Sequence, residues 1–231
     1  MPNAFALLTV GLLLSFCYSS PASPLLAQTP LRPDPTTLAG LLQKHYDQVR
    51  DFAADFVHVY EGGALRMTAT EKGTVQIKKP GKMRWHYNTP EEKLFVFDGR
   101  TMYAYFLDEA QVTVSPMPQG DEVSAAVLLL TGRGNLVRDF RPEYVELPDL
   151  ASDSYALRLE PIVPTPDYTS LTLVVDRSNL KLRRLISTDR QGGISTFRFS
   201  NLEENVGITD SQFSFTIPAN VEIIRHESVP Q

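Results

Sequence analysis

Hydrophobic and polar residues alternate along residues 73–107, and this pattern predicts the central part of a β-sheet. Turn sequences separate the alternating segments, with Lys-Pro-Gly-Lys at residues 79–82 and Asp-Gly-Arg at residues 98–100. Apolar side chains occupy every second position of the first two segments: Val75, Ile77, Met83, Trp85 and Tyr87. The pattern therefore predicts antiparallel strands with one aromatic face and one basic face that is exposed to solvent.

The rest of the chain adds more strands and few helices. Apolar residues at helical spacing from Leu38 to Val49 predict an amphipathic helix, capped by Asp34 or Thr36. Strand-like segments follow at residues 52–60, 66–78, 111–115, 155–159, 169–175, 180–187, 194–199, 213–216 and 221–224. A count of about ten or eleven strands predicts a mainly β fold, in which one antiparallel sheet is large enough to curl.

A second helical segment interrupts the strands after residue 120. Asp121 is a suitable N-cap and Gly132 a suitable C-terminal stop. One stripe of this helix consists of Val123, Ala126, Val127 and Leu130, and most of its other side chains are also apolar. Such a helix is buried or covers an apolar surface. Residues 135–140 indicate one more helical turn, so the short helices are expected to cover one side of the sheet.

Composition fits one globular domain and argues against a nucleic-acid partner. The chain has 231 residues, of which 42% are hydrophobic and 21% charged, enough for a sizeable core. The formal net charge is -5, and lysine and arginine residues are scattered and outnumbered. A basic surface for nucleic acid is therefore not expected.

The N-terminus differs from the rest of the chain. Residues 4–17 form an apolar run that is too short for a membrane span but suits the core of a secretory signal peptide. Small residues follow, with possible cleavage after Ala22 or Ala27. We expect a signal peptide at residues 1–27 and a single mature domain at residues 28–231.

Cys17 is the only cysteine of the chain and lies at the end of the apolar run. Its surroundings faintly resemble a lipobox, in which the cysteine becomes lipidated, although Phe16 stands where a small residue is usual. Cleavage after the cysteine would leave a mature domain without a disulfide, which a core of this size tolerates. A lipid anchor stays open as an alternative.

Local motifs for catalysis or metal binding are missing from the sequence. None of the four histidines forms a zinc-binding spacing, and neither a nucleophile elbow nor a phosphate loop occurs. We therefore expect no metal and no enzymatic activity, although catalytic groups need not be close in sequence. The feature that remains is the large number of apolar and aromatic residues in the central strands. It has two possible interpretations: a filled core, or a cavity for an apolar ligand.

Several segments together resemble the family of LolA-type outer-membrane lipoprotein carrier proteins. The similarity is strongest for G-x-V-x-I-K-K-P at residues 73–80, M-R-W-H-Y at 83–87 and D-G-R-T-M-Y-x-Y at 98–105. It begins with the helix at Leu41 and Leu42 and the F-x-A-D-F segment at residues 52–56, and it extends through the predicted apolar helix at residues 123–130 to the closing residues 213–218. The resemblance implies an incomplete barrel of about eleven strands, with a lid of short helices over an apolar cavity.

The same resemblance implies a function. A carrier of this family is a periplasmic monomer without a cofactor that takes acylated lipoproteins from an inner-membrane ABC transporter to an outer-membrane receptor. The expected cavity residues are Val75, Ile77, Met83, Trp85, Tyr87, Phe95, Phe97 and Tyr103, and the expected lid residues are Val123, Ala126, Val127 and Leu130. The alternatives are a membrane-anchored LolB-like receptor or a related lipid-binding or sensing module on the same fold.

One functional position of the family is occupied by a different residue in this chain. The family often has an arginine before the proline of the strand turn, where it bonds to the backbone of the lid and regulates opening. Lys79 occupies this position here, and lysine keeps the charge but lacks the planar set of donors. We expect Lys79 to act as a gate, with an ordinary solvated lysine as the alternative.

Overall fold

The computed structural model describes residues 32–62, 67–116 and 134–226. The chain divides into two units, Met1–Arg32 and Pro33–Gln231, and the elements below all belong to the second unit. The expected signal peptide and the expected lid residues Val123, Ala126, Val127 and Leu130 lie outside the described residues. Those two expectations therefore stay predictions.

The described residues form twelve strands, two α-helices and a short 3-10 helix at Asp210–Phe213. The helices are α1 (Pro35–Gln48) and α2 (Leu136–Asp139). The strands are β1 (Asp51–Gly62), β2 (Met67–Lys78), β3 (Lys82–Thr89), β4 (Lys93–Phe97), β5 (Met102–Phe106), β6 (Gln111–Ser115), β7 (Phe140–Tyr144), β8 (Ser154–Pro161), β9 (Ser170–Asp176), β10 (Leu182–Thr188), β11 (Ile194–Glu204) and β12 (Glu222–Arg225).

All twelve strands belong to one sheet with the order β12-β6-β5-β4-β3-β2-β1-β11-β10-β9-β8-β7. Neighbouring strands pair in antiparallel fashion, except that β12 pairs with β6 in parallel. The two outermost strands are β12 and β7, so the sheet does not close into a barrel. The prediction of an incomplete, mainly β barrel is confirmed, with twelve strands instead of about eleven.

Helix α1 covers one end of the sheet and follows the sequence prediction closely. Asp34 is its N-cap, and its carboxylate accepts a hydrogen bond from the backbone N–H of Thr37 at 2.9 Å. Proline in the first turn suits a helix start, because the N–H that it lacks has no partner there. The apolar stripe of the helix is buried: Leu38, Ala39, Leu42 and Tyr46.

Two local predictions need correction. The predicted strand at residues 213–216 is instead the end of the 3-10 helix and an extended segment after it. Alternating Phe213 and Phe215 resemble a strand, but Phe213 is buried outside any ladder. Conversely, β7 was not predicted, because Pro142 interrupts its pattern. A proline is tolerated there because β7 is an edge strand.

The two faces of the sheet differ, and we name the face that carries Trp85 the inner face and the face that carries Arg84 the outer face. The outer face was expected to be exposed to solvent, but part of the C-terminal segment lies over it. Asp210 bridges Lys78 and Lys82 at 2.6 and 2.9 Å, and Arg84 donates to the backbone carbonyl of Gln212 at 3.2 Å. The basic residues of this face therefore hold the C-terminal segment.

Candidate functional site

The inner face brings seven of the eight predicted cavity residues together. Strand pairing places Val75 opposite Trp85, and Ile77 and Phe97 on either side of Met83. Seven side chains belong to or pack against one hydrophobic cluster: Val75, Ile77, Met83, Trp85, Tyr87, Phe95 and Phe97. This cluster also contains residues of α1 and of β8–β10, so part of the predicted cavity wall is protein core.

Tyr103 is the exception, and its assignment to the same surface is wrong. It pairs with Val96 on the outer face, and its ring centroid lies 5.2 Å from that of Phe215. The inner-face positions of β5 are Met102 and Ala104, which are both buried, and Phe106, which is half-buried. Aromatic residues at alternate positions of β5 resembled an inner face, but the pairing of Phe97 with Met102 fixes the opposite register.

Five aromatic rings form the centre of the inner face, and we call them the aromatic cluster: Phe56, Trp85, Tyr87, Phe95 and Phe197. The ring of Phe56 lies 5.0 Å from Trp85 and 4.8 Å from Tyr87, both in edge-on orientation. Phe197 lies 5.2 Å from Trp85. Edge-to-face contacts at these distances stabilise the arrangement beyond simple burial.

Two members of this cluster, Phe56 and Phe197, were not among the predicted site residues. They come from β1 and β11, which pair over a long stretch although they are far apart in sequence. Both strands were predicted, and their alternation marks these phenylalanines as members of a buried face. The sequence gives no signal for the pairing itself, so it could not place the two rings beside Trp85.

A glycine makes room for the central ring. A Cβ atom built on Gly73 would lie 2.0 Å from the backbone oxygen of His86 and 2.9 Å from Cζ of Phe56. Gly73 pairs directly with Phe56 on β1, next to a register shift in the ladder between β2 and β3. Only a residue without a side chain allows the ring of Phe56 to lie over this strand.

Burial decreases along the inner face, away from the end that α1 covers. Near that end, Ile77 and Met83 are 1% and 2% exposed. Towards the other end the aromatic residues are only half-buried: Tyr87, Phe95, Phe106, Phe197 and Phe199. This half-buried aromatic surface is continuous with the core and is more accessible to solvent than the end of the inner face beside α1.

Four polar residues border the half-buried surface, and we call them the polar cluster: His58, Glu71, Lys93 and Ser195. Nδ1 of His58 lies 3.2 Å from a carboxylate oxygen of Glu71, and Nε2 lies 2.6 Å from the hydroxyl of Ser195. The ammonium of Lys93 donates to the other oxygen of Glu71 at 2.6 Å. These side chains are largely withdrawn from water, with 15% of His58 and 17% of Glu71 exposed.

The hydrogen bonds define the protonation pattern of the cluster. Burial lowers the pKa of His58 below its ordinary value, against the opposing effect of the Glu71 carboxylate. The imidazole is therefore neutral near pH 7. An ionised Glu71 can only accept, so Nδ1 of His58 carries the proton and Nε2 accepts from Ser195. The oxygen of Ser195 keeps its capacity to accept a further hydrogen bond.

Lys79, the predicted gate, contacts α1. Its ammonium donates to the backbone carbonyl of Tyr46, and its own N–H donates to the carbonyl of Arg50 at 2.8 Å. Burial lowers the pKa of Lys79 below the ordinary lysine value. A cation at this position satisfies a carbonyl at the C-terminal end of the helix and favours the helix dipole. Lys79 is therefore not an ordinary solvated lysine.

Neither a metal site nor a membrane-spanning helix is found in the described part of the chain. Across residues 32–62, 67–116 and 134–226, no group of three or more histidine, cysteine or acidic side chains is arranged to hold a metal ion. In the same residues, no helix is long and apolar enough to cross a membrane.

Comparisons with known proteins agree with this architecture. The sequence model described as outer membrane lipoprotein carrier protein LolA matches residues 47–216. An outer-membrane lipoprotein carrier protein of Nitrosomonas europaea is 27% identical over 184 residues, which cover 80% of this chain and 87% of that protein. One from Chromohalobacter salexigens is 30% identical over 189 residues, which cover 81% of this chain and 85% of that protein. A conserved protein of Thermus thermophilus has a similar fold, with a TM-score of 0.52 and 13% identity over 82% of this chain and 99% of that one.

Proposed function

The chain belongs to the family of outer membrane lipoprotein carrier proteins, LolA, and on that basis we propose that it carries lipoproteins through the periplasm. The acyl chains of the lipoprotein lie on the half-buried aromatic surface of the inner face. No chemical step and no cofactor are needed, because binding and release are the whole activity.

One observation carries this proposal: aromatic side chains are only half-buried at the end of an otherwise buried face. The rings of Phe95 and Tyr87 are in contact at this place, and Phe197 connects to the core through its contact with Trp85. Large exposed apolar patches on soluble proteins typically mark binding surfaces. Aromatic walls suit hydrocarbon chains better than a ligand with many polar groups.

Physical chemistry explains the need for such a carrier. Each methylene exposed to water costs about 0.8 kcal/mol, so a lipoprotein anchor with some forty methylenes costs on the order of 30 kcal/mol unprotected. A carrier that covers these chains lets the lipoprotein leave one membrane and reach another. Release then requires an acceptor with higher affinity at the destination.

The proposed route is the one that the resemblance to the family implies. The carrier takes its cargo from an inner-membrane lipoprotein-releasing ABC transporter and delivers it to an outer-membrane lipoprotein receptor. It works as a monomer, after its signal peptide has directed it to the periplasm. The apolar segment at residues 123–130, for which the sequence predicts a helix, is proposed as a lid over the acyl chains.

Lys79 takes part in opening and closing. Its hydrogen bond to Tyr46 ties the β2–β3 turn to the end of α1, the helix that covers one end of the inner face. Breaking this bond frees α1 to move away from the sheet. Lys79→Leu should therefore alter both loading and release of a lipoprotein, and unchanged kinetics for both steps would reject the gate.

The test of the carrier function uses inner-membrane vesicles or spheroplasts that hold a radiolabelled lipoprotein. Purified protein should release the lipoprotein into solution, and native mass spectrometry should detect a complex with the acylated polypeptide. Phe95→Glu on the inner face should abolish release, whereas Tyr105→Glu on the outer face serves as the matched control. A folded protein that releases nothing and is always isolated empty contradicts the proposal.

The alternative is a receptor anchored by Cys17, which lies at the end of the apolar N-terminal run. Mass spectrometry of the mature N-terminus separates the two functions. A lipidated Cys17 favours the anchored receptor, and an N-terminus after Ala22 or Ala27 favours the soluble carrier.

A further inference from the structure

The polar cluster directly adjoins the aromatic cluster on the inner face. The ring of Phe197 stacks on His58 with centroids 4.1 Å apart, and Lys93 lies 6.0 Å above the ring of Tyr87. A hydrocarbon chain that lies on the aromatic cluster therefore runs directly into these polar side chains. The groups that join acyl chains to the rest of a lipid are esters and amides, which are polar and uncharged.

The hydrogen-bonding capacity of the polar cluster matches such groups. The ammonium of Lys93 has three hydrogens, and two carboxylates lie near it, Glu71 at 2.6 Å and Glu91 at 3.9 Å. A third N–H is left to donate to an ester or amide carbonyl. The Ser195 oxygen, whose hydrogen points to His58, can accept from an amide N–H.

The charges in and beside the polar cluster oppose anions. The cluster itself sums to zero, with Lys93 positive, Glu71 negative and His58 neutral, and Glu91 beside Lys93 brings the sum to one negative charge. A phosphate placed among these groups would meet two carboxylates against one ammonium. Because the buried carboxylate of Glu71 is poorly screened by solvent, this repulsion is strong at short range.

We propose that His58, Glu71, Lys93 and Ser195 form a headgroup-selection site, which accepts uncharged ester and amide linkages of acylated ligands and excludes anionic phospholipids. The inference rests on the proposed function, since it takes the aromatic cluster as the place of the acyl chains. It gives the carrier a way to remain free for its cargo beside membranes that are made mostly of phospholipid.

Trp85 is the only tryptophan of the chain and belongs to the aromatic cluster, so its fluorescence reports binding without a label. The full-length mature protein is titrated with two lipids that carry the same acyl chains, dioctanoylglycerol and dioctanoylphosphatidylglycerol, below their micelle concentrations. The wild type should bind the uncharged lipid at least about tenfold more tightly, as expected for a charge repelled at close range.

Charge variants test the cause of this selectivity. Glu71→Gln should raise affinity for the anionic lipid about tenfold, because it frees the Lys93 charge. Glu91→Gln removes the exposed carboxylate without touching the buried contacts and should raise the same affinity about threefold. Glu203→Gln is the matched control, since Glu203 is exposed and pairs with Ala53 near the opposite end of β1. Thermal unfolding verifies that each variant is folded.

The outcomes separate this inference from the proposed function. Equal binding of the two lipids, preference for the anionic lipid, or Glu71→Gln and Glu91→Gln variants that both behave like Glu203→Gln would overturn the selection site and leave the acyl-chain site intact. Failure of the folded wild type to bind either lipid would overturn both.

Discussion

The imidazole of His58 lies parallel to the ring of Phe197, with an interplanar angle of 1° and centroids 4.1 Å apart. This contact joins two parts of the inner face, because Phe197 also touches Trp85 in the aromatic cluster and His58 holds Glu71 and Ser195 in the polar cluster. The apolar and polar parts of the candidate site are thus one continuous surface. A change in the charge of His58 must therefore affect both.

Acidification should weaken the fold through His58. Burial lowers its pKa in the folded protein below the ordinary value near 6.5, so the unfolded chain binds the proton more readily. The stability that depends on the neutral imidazole is complete above about pH 6.5 and is lost as the pH falls below that value. Urea unfolding at pH 7.5 and pH 5.5 should show a smaller pH dependence for His58→Gln than for the wild type. His226→Gln, at an exposed position near the C-terminus, is the control and should leave the pH dependence of unfolding as in the wild type.

The bond between Lys79 and α1 should contribute to stability as well as to gating. Lys79→Met removes the donor to the Tyr46 carbonyl at the end of the helix and should lower the free energy of unfolding by about 1–2 kcal/mol. The amides of α1 should also exchange faster with deuterium. Lys72→Met is the control, since Lys72 is exposed on β2, the strand that precedes Lys79. Equal unfolding curves for the two variants would show that the bond has no structural role.

Asp210 should attach the C-terminal segment to the outer face in a pH-dependent manner. Hydrogen bonds from Lys78 and then Lys82 lower the pKa of its carboxyl to about 2 from an ordinary value of 3.8. The stability that the ionised Asp210 carboxylate contributes is therefore complete above about pH 4 and is lost as the pH falls towards 2. Deuterium exchange of residues 206–216 should accelerate in Asp210→Asn at neutral pH. Asp108→Asn, in the exposed turn between β5 and β6, should leave that exchange unchanged.

The polar cluster should not hydrolyse the esters that it contacts. Glu71, His58 and Ser195 form a chain of carboxylate, imidazole and hydroxyl, which is also the order in serine hydrolases. However, Ser195 lies inside a strand that is paired on both sides, so its backbone N–H belongs to a ladder and cannot help to stabilise an oxyanion. Incubation with dioctanoylglycerol should release no octanoic acid. Release that Ser195→Ala abolishes would identify an enzyme and contradict this prediction.

Local sequence patterns were sufficient to predict most of the fold. The N-cap at Asp34, the helical spacing after it and the alternation through β2 and β3 each depend on neighbours in sequence, and all three are present in the structure. The polar cluster depends instead on which strands pair. His58 and Ser195 are separated by 137 positions, and no local pattern specifies that β11 lies beside β1. The assignment of Tyr103 to the inner face was wrong for a related reason. The short turn between β4 and β5 sets the register of β5, and the register decides which alternate residues face inward.

The two glycines Gly73 and Gly40 offer a matched pair of Gly→Ala substitutions with opposite expected signs. A Cβ on Gly73 would lie 2.0 Å from a backbone oxygen, which cannot move away without breaking the β2–β3 ladder. Gly73→Ala should therefore destabilise the protein by about 3 kcal/mol or more and disturb Trp85 fluorescence. Gly40 lies within α1, where nothing is found within 4 Å of an added Cβ, so Gly40→Ala should stabilise by about 0.5–1 kcal/mol. Urea unfolding measures both, and a Gly73→Ala variant as stable as the wild type would contradict the close packing of Phe56 over β2.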